Sequence, residues 1–160
     1  MTAKNIPDKI VCIIPSRYES SRFPGKPLAD LLGKPMIQHV YERVIKSELV
    51  SLAAVATDDR RIYDAVLAFG GRAVLTAAVH PSGTDRIHEA ATLLGLADED
   101  IVVNIQGDQP LFNPAQIEEV ASPLQDDPAI PMSTLIYRIV REEEIGHPHA
   151  VKTVCDHQGF

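Results

Sequence analysis

The chain has 160 residues, 45% of them apolar, which is the size and composition of one globular domain spanning residues 1–160. Its formal net charge of −7 excludes a broad basic surface of the kind that binds nucleic acid. No apolar run approaches the ~20 residues of a membrane span, and residues 1–9 lack the apolar core of a signal peptide. We therefore expect a cytoplasmic protein without nucleic-acid or membrane partners.

Apolar runs typical of strands alternate with amphipathic runs typical of helices along the chain. In chain order, these alternating predictions cover residues 10–14, 35–49, 52–57, 59–69, 72–76, 84–94, 101–105 and 114–124. Two further apolar runs, residues 131–140 and 150–155, close the sequence. Strands separated by helices favour right-handed crossovers, so the sequence predicts a three-layer α/β/α fold with a mostly parallel, Rossmann-like sheet.

The two cysteines, Cys12 and Cys155, each lie in an apolar, strand-like run. Free cysteines in such runs usually behave as small buried hydrophobic residues. We therefore expect both side chains in the core, and neither a disulfide nor a metal pair.

Ligands of a parallel sheet bind beyond the carboxyl ends of its strands, so the loops after residues 14, 57, 76 and 105 should share one rim. The first loop carries Arg17, Arg22 and Lys26 close to the strand end. Guanidinium groups and a lysine suit a triphosphate, and Gly25 permits a tight backbone turn beside it. A solvated basic loop is the alternative interpretation of the same cations.

Two well-known phosphate-binding motifs are absent from this loop. Lys26 is followed by Pro27, so there is no G-x-x-x-x-G-K-[ST], and no G-x-G-x-x-G follows the first strand. These absences argue against a P-loop nucleotidase and against an NAD-dependent oxidoreductase.

Gln106, Gly107 and Asp108 directly follow the most strand-like run of the chain. This position puts a carboxylate at the mouth of a buried strand, where magnesium is commonly held by one or two carboxylates and by phosphate oxygens. Gly107 lets the chain turn without a side chain in the way of a ligand. A turn-forming Gly-Asp pair explains the same residues without any metal.

The remaining two loops carry small polar residues. Residues 80–86 lead into a helix, where hydroxyls and free N–H groups can serve a base, a ribose or a phosphate. Ser82 or Thr84 could instead cap the helix, with Asp85 favourable in its first turn. Residues 57–59 could equally form a helix cap. Each loop has an ordinary structural explanation, and only their convergence on one rim favours a nucleotide site.

Five ordered segments resemble the 3-deoxy-manno-octulosonate (Kdo) cytidylyltransferase family. Residues 14–28, IPSRYESSRFPGKPL, are similar to the family signature I-P-A-R-x-x-S-x-R-x-P-G-K-P-L, a segment also close to sialic acid cytidylyltransferases. The other four segments follow in family order and are residues 33–37, 56–58, 80–86 and 103–108.

The resemblance implies a nucleotide-diphospho-sugar transferase-like fold and a transfer of CMP from CTP to Kdo, with release of pyrophosphate, for lipopolysaccharide precursor synthesis. It implies that Arg17, Arg22 and Lys26 hold the triphosphate and that Asp108 binds Mg²⁺. The nucleotide-binding residues that it implies are Pro15, Ser16, Ala56, Asp58, Ser82, Gly83, Thr84, Arg86, Gln106 and Gly107.

The same resemblance implies a homodimer and a longer chain. Residues that bind the sugar, a second metal-binding carboxylate and most of the dimer contacts are expected beyond residue 160. Two alternatives stay open on the residues present: a cytidylyltransferase for another acidic sugar, sialic acid or 8-amino-Kdo, and a nucleotide-binding module without catalysis.

Overall fold

The computed structural model describes residues 9–19, 23–148 and 150–157. Its strands are β1 (Ile10–Ser16), β2 (Asp30–Leu31), β3 (Lys34–Pro35), β4 (Leu52–Thr57), β5 (Ala73–Leu75) and β6 (Ile101–Asn104). Its helices are α1 (Met36–Val44), α2 (Arg60–Ala68), α3 (Gly83–Leu93), α4 (Ala115–Asp126) and α5 (Glu143–Gly146), with a 3₁₀ turn at Lys26–Leu28. Every strand and helix predicted between residues 10 and 124 is present. Within the described ranges, no helix is long and apolar enough to cross a membrane.

Four strands form one sheet in the order β5-β4-β1-β6, and all three pairings are parallel. In the register of β1, Ile13 lies opposite Asn104 of β6 on one side and Ala54 of β4 on the other. Because the strands run in the same direction, the loops after β1, β4, β5 and β6 all leave from one rim. This confirms the predicted common rim.

Successive residues of β1 point to opposite faces of the sheet, and each face is covered by helices. Cys12 and Ile14 belong to a core shared with α1, α2 and α4, whereas Val11 and Ile13 pack with Ile87 and other residues of α3. A strand covered on both faces is a continuous apolar run, which is why β1 shows no polar alternation. The three-layer prediction is therefore confirmed.

Two local features differ from the sequence predictions. Helix α1 ends at Val44 and not near residue 49, because the backbone tightens into turns in which Lys46 N–H bonds to Arg43 O. Before α1, β2 and β3 form a short antiparallel hairpin that was not predicted. Its turn places Leu32 and Gly33 at φ values of 55° and 84°. A leucine rarely adopts a positive φ, so the sequence of the turn does not predict this conformation.

The prediction that both cysteines are buried is right for Cys12 and wrong for Cys155. Cys12 lies in the central strand, and burial raises the pKa of its thiol to about 12. Cys155 is exposed because residues 150–155 pair with no described strand; Val151 and Val154 beside it are 94% and 90% exposed. Residues 131–140 likewise form no strand.

A buried arginine ties three elements together beneath the rim. Arg86 of α3 is 5% exposed. Its Nη1 donates to Thr76 Oγ1 at 2.6 Å, just after β5, and its Nη2 donates to Asp58 Oδ2 at 3.0 Å, just after β4. Since a buried guanidinium is costly unless it is paired, these contacts fix where the two loops lie relative to α3.

We predict that a thiol-specific disulfide reagent labels Cys155 in the native protein within minutes and labels Cys12 only on unfolding. The reason is that Cys12 combines complete burial with a raised thiol pKa, which suppresses the reactive thiolate. Counting labelled thiols with and without denaturant checks this. Rapid labelling of both thiols in the native state would contradict it.

We predict that Arg86→Met destabilises the protein by about 2–4 kcal/mol, because it leaves Asp58 without its partner in a half-buried position. Urea denaturation measures the loss. The matched control is Arg60→Met, which breaks an exposed i,i+4 pair with Asp64 and should cost about 0–1 kcal/mol. Equal losses for the two variants would show that the Arg86 contacts carry no special stability.

Candidate functional site

A cleft of about 190 Å³ opens at the rim where the loops after β1 and β6 meet the start of α3. The residues that line it are Pro15, Ser16, Arg17, His80, Pro81, Ser82, Gly83, Arg86 and Gln106. The cleft therefore gathers residues from three of the four predicted loops. Its lining contains an exposed cation, Arg17, together with hydroxyl and amide groups that can form hydrogen bonds with a polar ligand.

Beside this cleft, the loop after β1 touches the loop after β6 through an ion pair. Lys26 Nζ lies 2.8 Å from Asp108 Oδ2, and the two side chains are 37% and 54% exposed. An ion pair so open to water contributes about 0–1 kcal/mol to stability. The ion pair can therefore open at a small cost in free energy, and each of the two groups can then bind a ligand.

Close packing of Gly107 against the end of β1 brings the two loops together. A Cβ atom at position 107 would lie 2.5 Å from Ser16 Oγ and 3.2 Å from Pro15 O. A side chain at position 107 would therefore force Ser16 Oγ to move and would press on the backbone of Pro15, so glycine allows the closest approach. Arg43 of α1 holds the same loop further along, where its Nη1 donates to Phe112 O at 3.2 Å.

The cation-bearing loop is anchored by the ring of Tyr18. The guanidinium carbon of Arg61 lies 3.3 Å from the ring centroid, and Gly25 N–H donates to Tyr18 O at 2.8 Å. Asp59, which caps α2, holds Arg61 in place through two side-chain hydrogen bonds of 2.9 and 2.6 Å. The bond from Arg61 also lowers the pKa of the Asp59 carboxyl group. These contacts hold the two described parts of the loop, at Tyr18 and at Gly25, against each other and against α2.

The loop before α3 is held by the helix itself. Ser82 is the N-cap of α3, and its Oγ accepts a hydrogen bond from Asp85 N–H at 3.2 Å. His80 Nε2 lies 2.5 Å from Glu89 Oε2, and Ala77 N–H donates to the same oxygen at 2.8 Å. The bond from His80, followed by that from Ala77, lowers the pKa of the Glu89 carboxyl group. The ionised Glu89 therefore fixes both ends of this loop.

The predicted site residues fall into a cleft group, a neighbouring ion pair and a supporting group. Arg17, Ser82 and Gln106 line the cleft, and the Lys26–Asp108 pair lies beyond Gly107. Some predicted residues do not line it. Asp58 supports it through Arg86, the methyl group of Ala56 is in the core, and Thr84 faces a different groove. Arg22 lies outside the described residues.

A larger groove of about 660 Å³ runs along the outer side of β6, next to residues 131–134. Its lining is mostly apolar and includes Ile87, Val102, Val120 and Met132, with no Arg or Lys among the described residues. The small cleft has the charge and polar groups that a nucleotide requires, so we assign the candidate site to the cleft.

Sequence reasoning missed two members of this region. His80 was noted only as the start of a loop motif, and Glu89 was not considered at all. The pairing could be anticipated only weakly, from an acid placed one helical turn after Asp85 on the same face of α3. Arg86 was expected to touch the nucleotide, whereas most of its hydrogen bonds go to Asp58, Thr76 and the backbone of Ala77.

Two curated relatives cover almost all of this chain. A 3-deoxy-manno-octulosonate cytidylyltransferase of Syntrophus aciditrophicus (strain SB) is 74% identical over 149 residues, which is 93% of this chain and 60% of the relative. An 8-amino-3,8-dideoxy-manno-octulosonate cytidylyltransferase of Shewanella loihica (strain ATCC BAA-1088 / PV-4) is 53% identical over 150 residues, which is 93% of this chain and 61% of the relative. The chain thus spans about 60% of the length of these relatives.

A solved structure of a CMP:2-keto-3-deoxy-manno-octonic acid synthetase complexed with CTP is similar in fold and in sequence. It superposes with a TM-score of 0.73 and 50% identity, over 78% of this chain and 50% of that chain. The family model described as cytidylyltransferase matches residues 11–160, which include β1 from its second residue, the rim and the cleft. The chain therefore belongs to the cytidylyltransferase family.

Proposed function

We propose that this chain is the nucleotide-binding part of a 3-deoxy-manno-octulosonate cytidylyltransferase, an enzyme that transfers CMP from CTP to Kdo and releases pyrophosphate. The observation that carries the proposal is the contact of Lys26 with Asp108, which joins the loops that follow two neighbouring parallel strands. A polyphosphate needs cations, and a metal that bridges its oxygens needs a carboxylate nearby. The 74% identity to a relative of that name supports the choice of reaction.

The cation-bearing loop would bind the triphosphate. Arg17 lines the cleft, Lys26 lies next to it, and Arg22 is placed between them in the sequence. Phosphoryl transfer requires mainly positioning and neutralisation of the charge on the phosphate oxygens, so these three cations supply what the chemistry needs. No covalent intermediate on a side chain is required.

Asp108 is the residue that would hold magnesium. The described residues contain no group of three or more His, Cys, Asp or Glu side chains able to form a protein cage for a metal. A single half-exposed carboxylate beside a phosphate-binding loop fits an ion that takes most of its ligands from phosphate and water. When bound, magnesium would withdraw charge from the phosphate oxygens and favour deprotonation of a coordinated hydroxyl.

The polar side of the cleft would bind the rest of the nucleotide. Ser82 and Gln106 present a hydroxyl and an amide to the cleft, and the backbone of Gly83 approaches it without a side chain. Asp58 is held by Arg86, and Thr84 directly follows Gly83 at the start of α3. Such groups can distinguish cytosine and ribose by hydrogen bonds, while the anomeric hydroxyl of the sugar attacks the α-phosphorus.

Two parts of the proposal concern the whole enzyme. We propose a homodimer, as the resemblance implies, and a location in the cytoplasm, with the sugar-binding residues in a further part of the enzyme. An acceptor other than Kdo is the second candidate, because a relative named for the 8-amino sugar is 53% identical.

We predict that the chain binds CTP in the presence of magnesium about tenfold or more tightly than UTP, ATP or NAD. The reason is that a cleft lined by fixed hydrogen-bonding groups penalises a base that leaves those groups unpaired. Calorimetric titration with the four nucleotides measures the ranking. Equal binding of ATP or NAD would contradict a cytidine-specific site.

A separate assay chooses the acceptor. Pyrophosphate release from CTP is measured on this chain and on a longer form that includes the sugar-binding segment, with Kdo, 8-amino-Kdo or sialic acid, and we expect the fastest release from the longer form with Kdo. Binding of CTP without release for any acceptor would favour a nucleotide-binding module that has no catalytic activity of its own.

We predict that Asp108→Asn removes the magnesium-dependent part of CTP binding and lowers pyrophosphate release at least about 100-fold, because an amide is a poor ligand for this ion. Titration of CTP with and without magnesium gives the first readout, and the second follows from the release assay. The matched control is Asp64→Asn, an exposed acid with a 2.8 Å ion pair outside the site, which should change neither. If CTP binding by Asp108→Asn depended on magnesium as it does in the unmodified chain, Asp108 would not be a ligand of the metal.

A further inference from the structure

Ser16, the last residue of β1, carries a buried hydroxyl that lacks a hydrogen-bond partner. Its side chain is 4% exposed, and its Oγ has no partner among the described residues. Burying an unpaired hydroxyl costs free energy, and nearly all such groups in folded proteins are paired. Within the described part of the chain, this hydroxyl is therefore available to a ligand.

The hydroxyl lies between the loop after β6 and the cleft. Gly107 packs against it so closely that a Cβ atom there would lie 2.5 Å from the oxygen. On the β4 side, Ser16 is paired in the sheet with Thr57. Ser16 also lines the cleft, together with Arg17 and Gln106, so a small rotation of its side chain would bring the hydroxyl to a ligand there.

The charges near the hydroxyl select the chemistry of that partner. A serine hydroxyl can donate one hydrogen bond and accept others. Arg17 follows it in the chain, and the Lys26–Asp108 pair begins immediately after Gly107, so the nearby side chains include two cations. An anionic oxygen is the ligand atom that suits both the cations and a donor hydroxyl.

We propose that Ser16 Oγ donates a hydrogen bond to a phosphate oxygen of the bound nucleotide. This inference rests on the proposed function and adds to it the atom through which Ser16 acts, since the sequence resemblance placed the residue at the site without assigning a role to its hydroxyl. A hydrogen bond to a charged acceptor is stronger than one between neutral groups, so the hydroxyl contributes to binding of the phosphates and not of the base.

Removal of this hydroxyl has opposite effects on the free protein and on binding. Ser16→Ala deletes the unpaired oxygen and keeps the Cβ atom, so the ligand-free protein is expected to melt about 2–4 °C higher. The same change deletes the donor to the phosphate, so the affinity for CTP is expected to fall about tenfold. A residue with a purely structural role would not raise the melting temperature and weaken binding together.

The test measures thermal unfolding without ligand, then titrates CTP, inorganic pyrophosphate and cytidine in the presence of magnesium. For Ser16→Ala we expect weaker binding of CTP and pyrophosphate and unchanged binding of cytidine. The control is Ser122→Ala, which removes a hydroxyl that already donates to Glu118 O at 2.8 Å, and it should leave all three affinities unchanged.

The outcomes separate this inference from the proposed function. If the unmodified chain binds CTP and Ser16→Ala binds it equally well, the inference is overturned and the function stands. If CTP and cytidine weaken by the same factor, the assignment to phosphate is overturned. If the unmodified chain binds pyrophosphate but shows no preference for CTP, the proposed function fails, and a loss of pyrophosphate binding in Ser16→Ala still supports the hydroxyl–phosphate contact.

Discussion

Parallel pairing of β1 with β6 is the constraint on which the candidate site depends. Neighbouring strands lie about 4.8 Å apart, so two loops that leave adjacent parallel strands at the same end must begin as near neighbours. Ile105 N–H extends the ladder by donating to Ile13 O, and two residues later Gly107 packs against Ser16. The contact between Lys26 and Asp108, 82 residues apart in the chain, follows from this pairing.

The charge at the rim differs from the net charge of the chain. The net charge is −7, whereas the rim carries Arg17 at the cleft and Lys26 beside it. In the structure, Lys26 is neutralised by Asp108. The rim therefore presents a modest local field to the solvent, and its charges rearrange at low cost when a ligand with its own charges arrives.

Local patterns in the sequence predicted most of the fold. β-branched runs and helical spacing gave the alternation from β1 to α4, and the rule for parallel strands then placed four loops on one rim. The details that were missed depend on contacts distant in the chain. No local pattern pairs Arg86 with Asp58 or His80 with Glu89. An apolar run such as residues 150–155 predicts a strand whether or not another strand lies next to it.

The turn at Gly25 limits how the cation-bearing loop can vary. Its φ of 72° disfavours any residue with a side chain, and a Cβ atom there would also lie only 3.0 Å from the ring of Tyr18. Even asparagine, which tolerates such a backbone, would require the ring to move by a few tenths of an ångström. The turn at Gly25 is therefore set by the backbone and the ring and not by charge, so an engineer could exchange Lys26 next to it to suit another anion, provided that the glycine and the tyrosine are kept together.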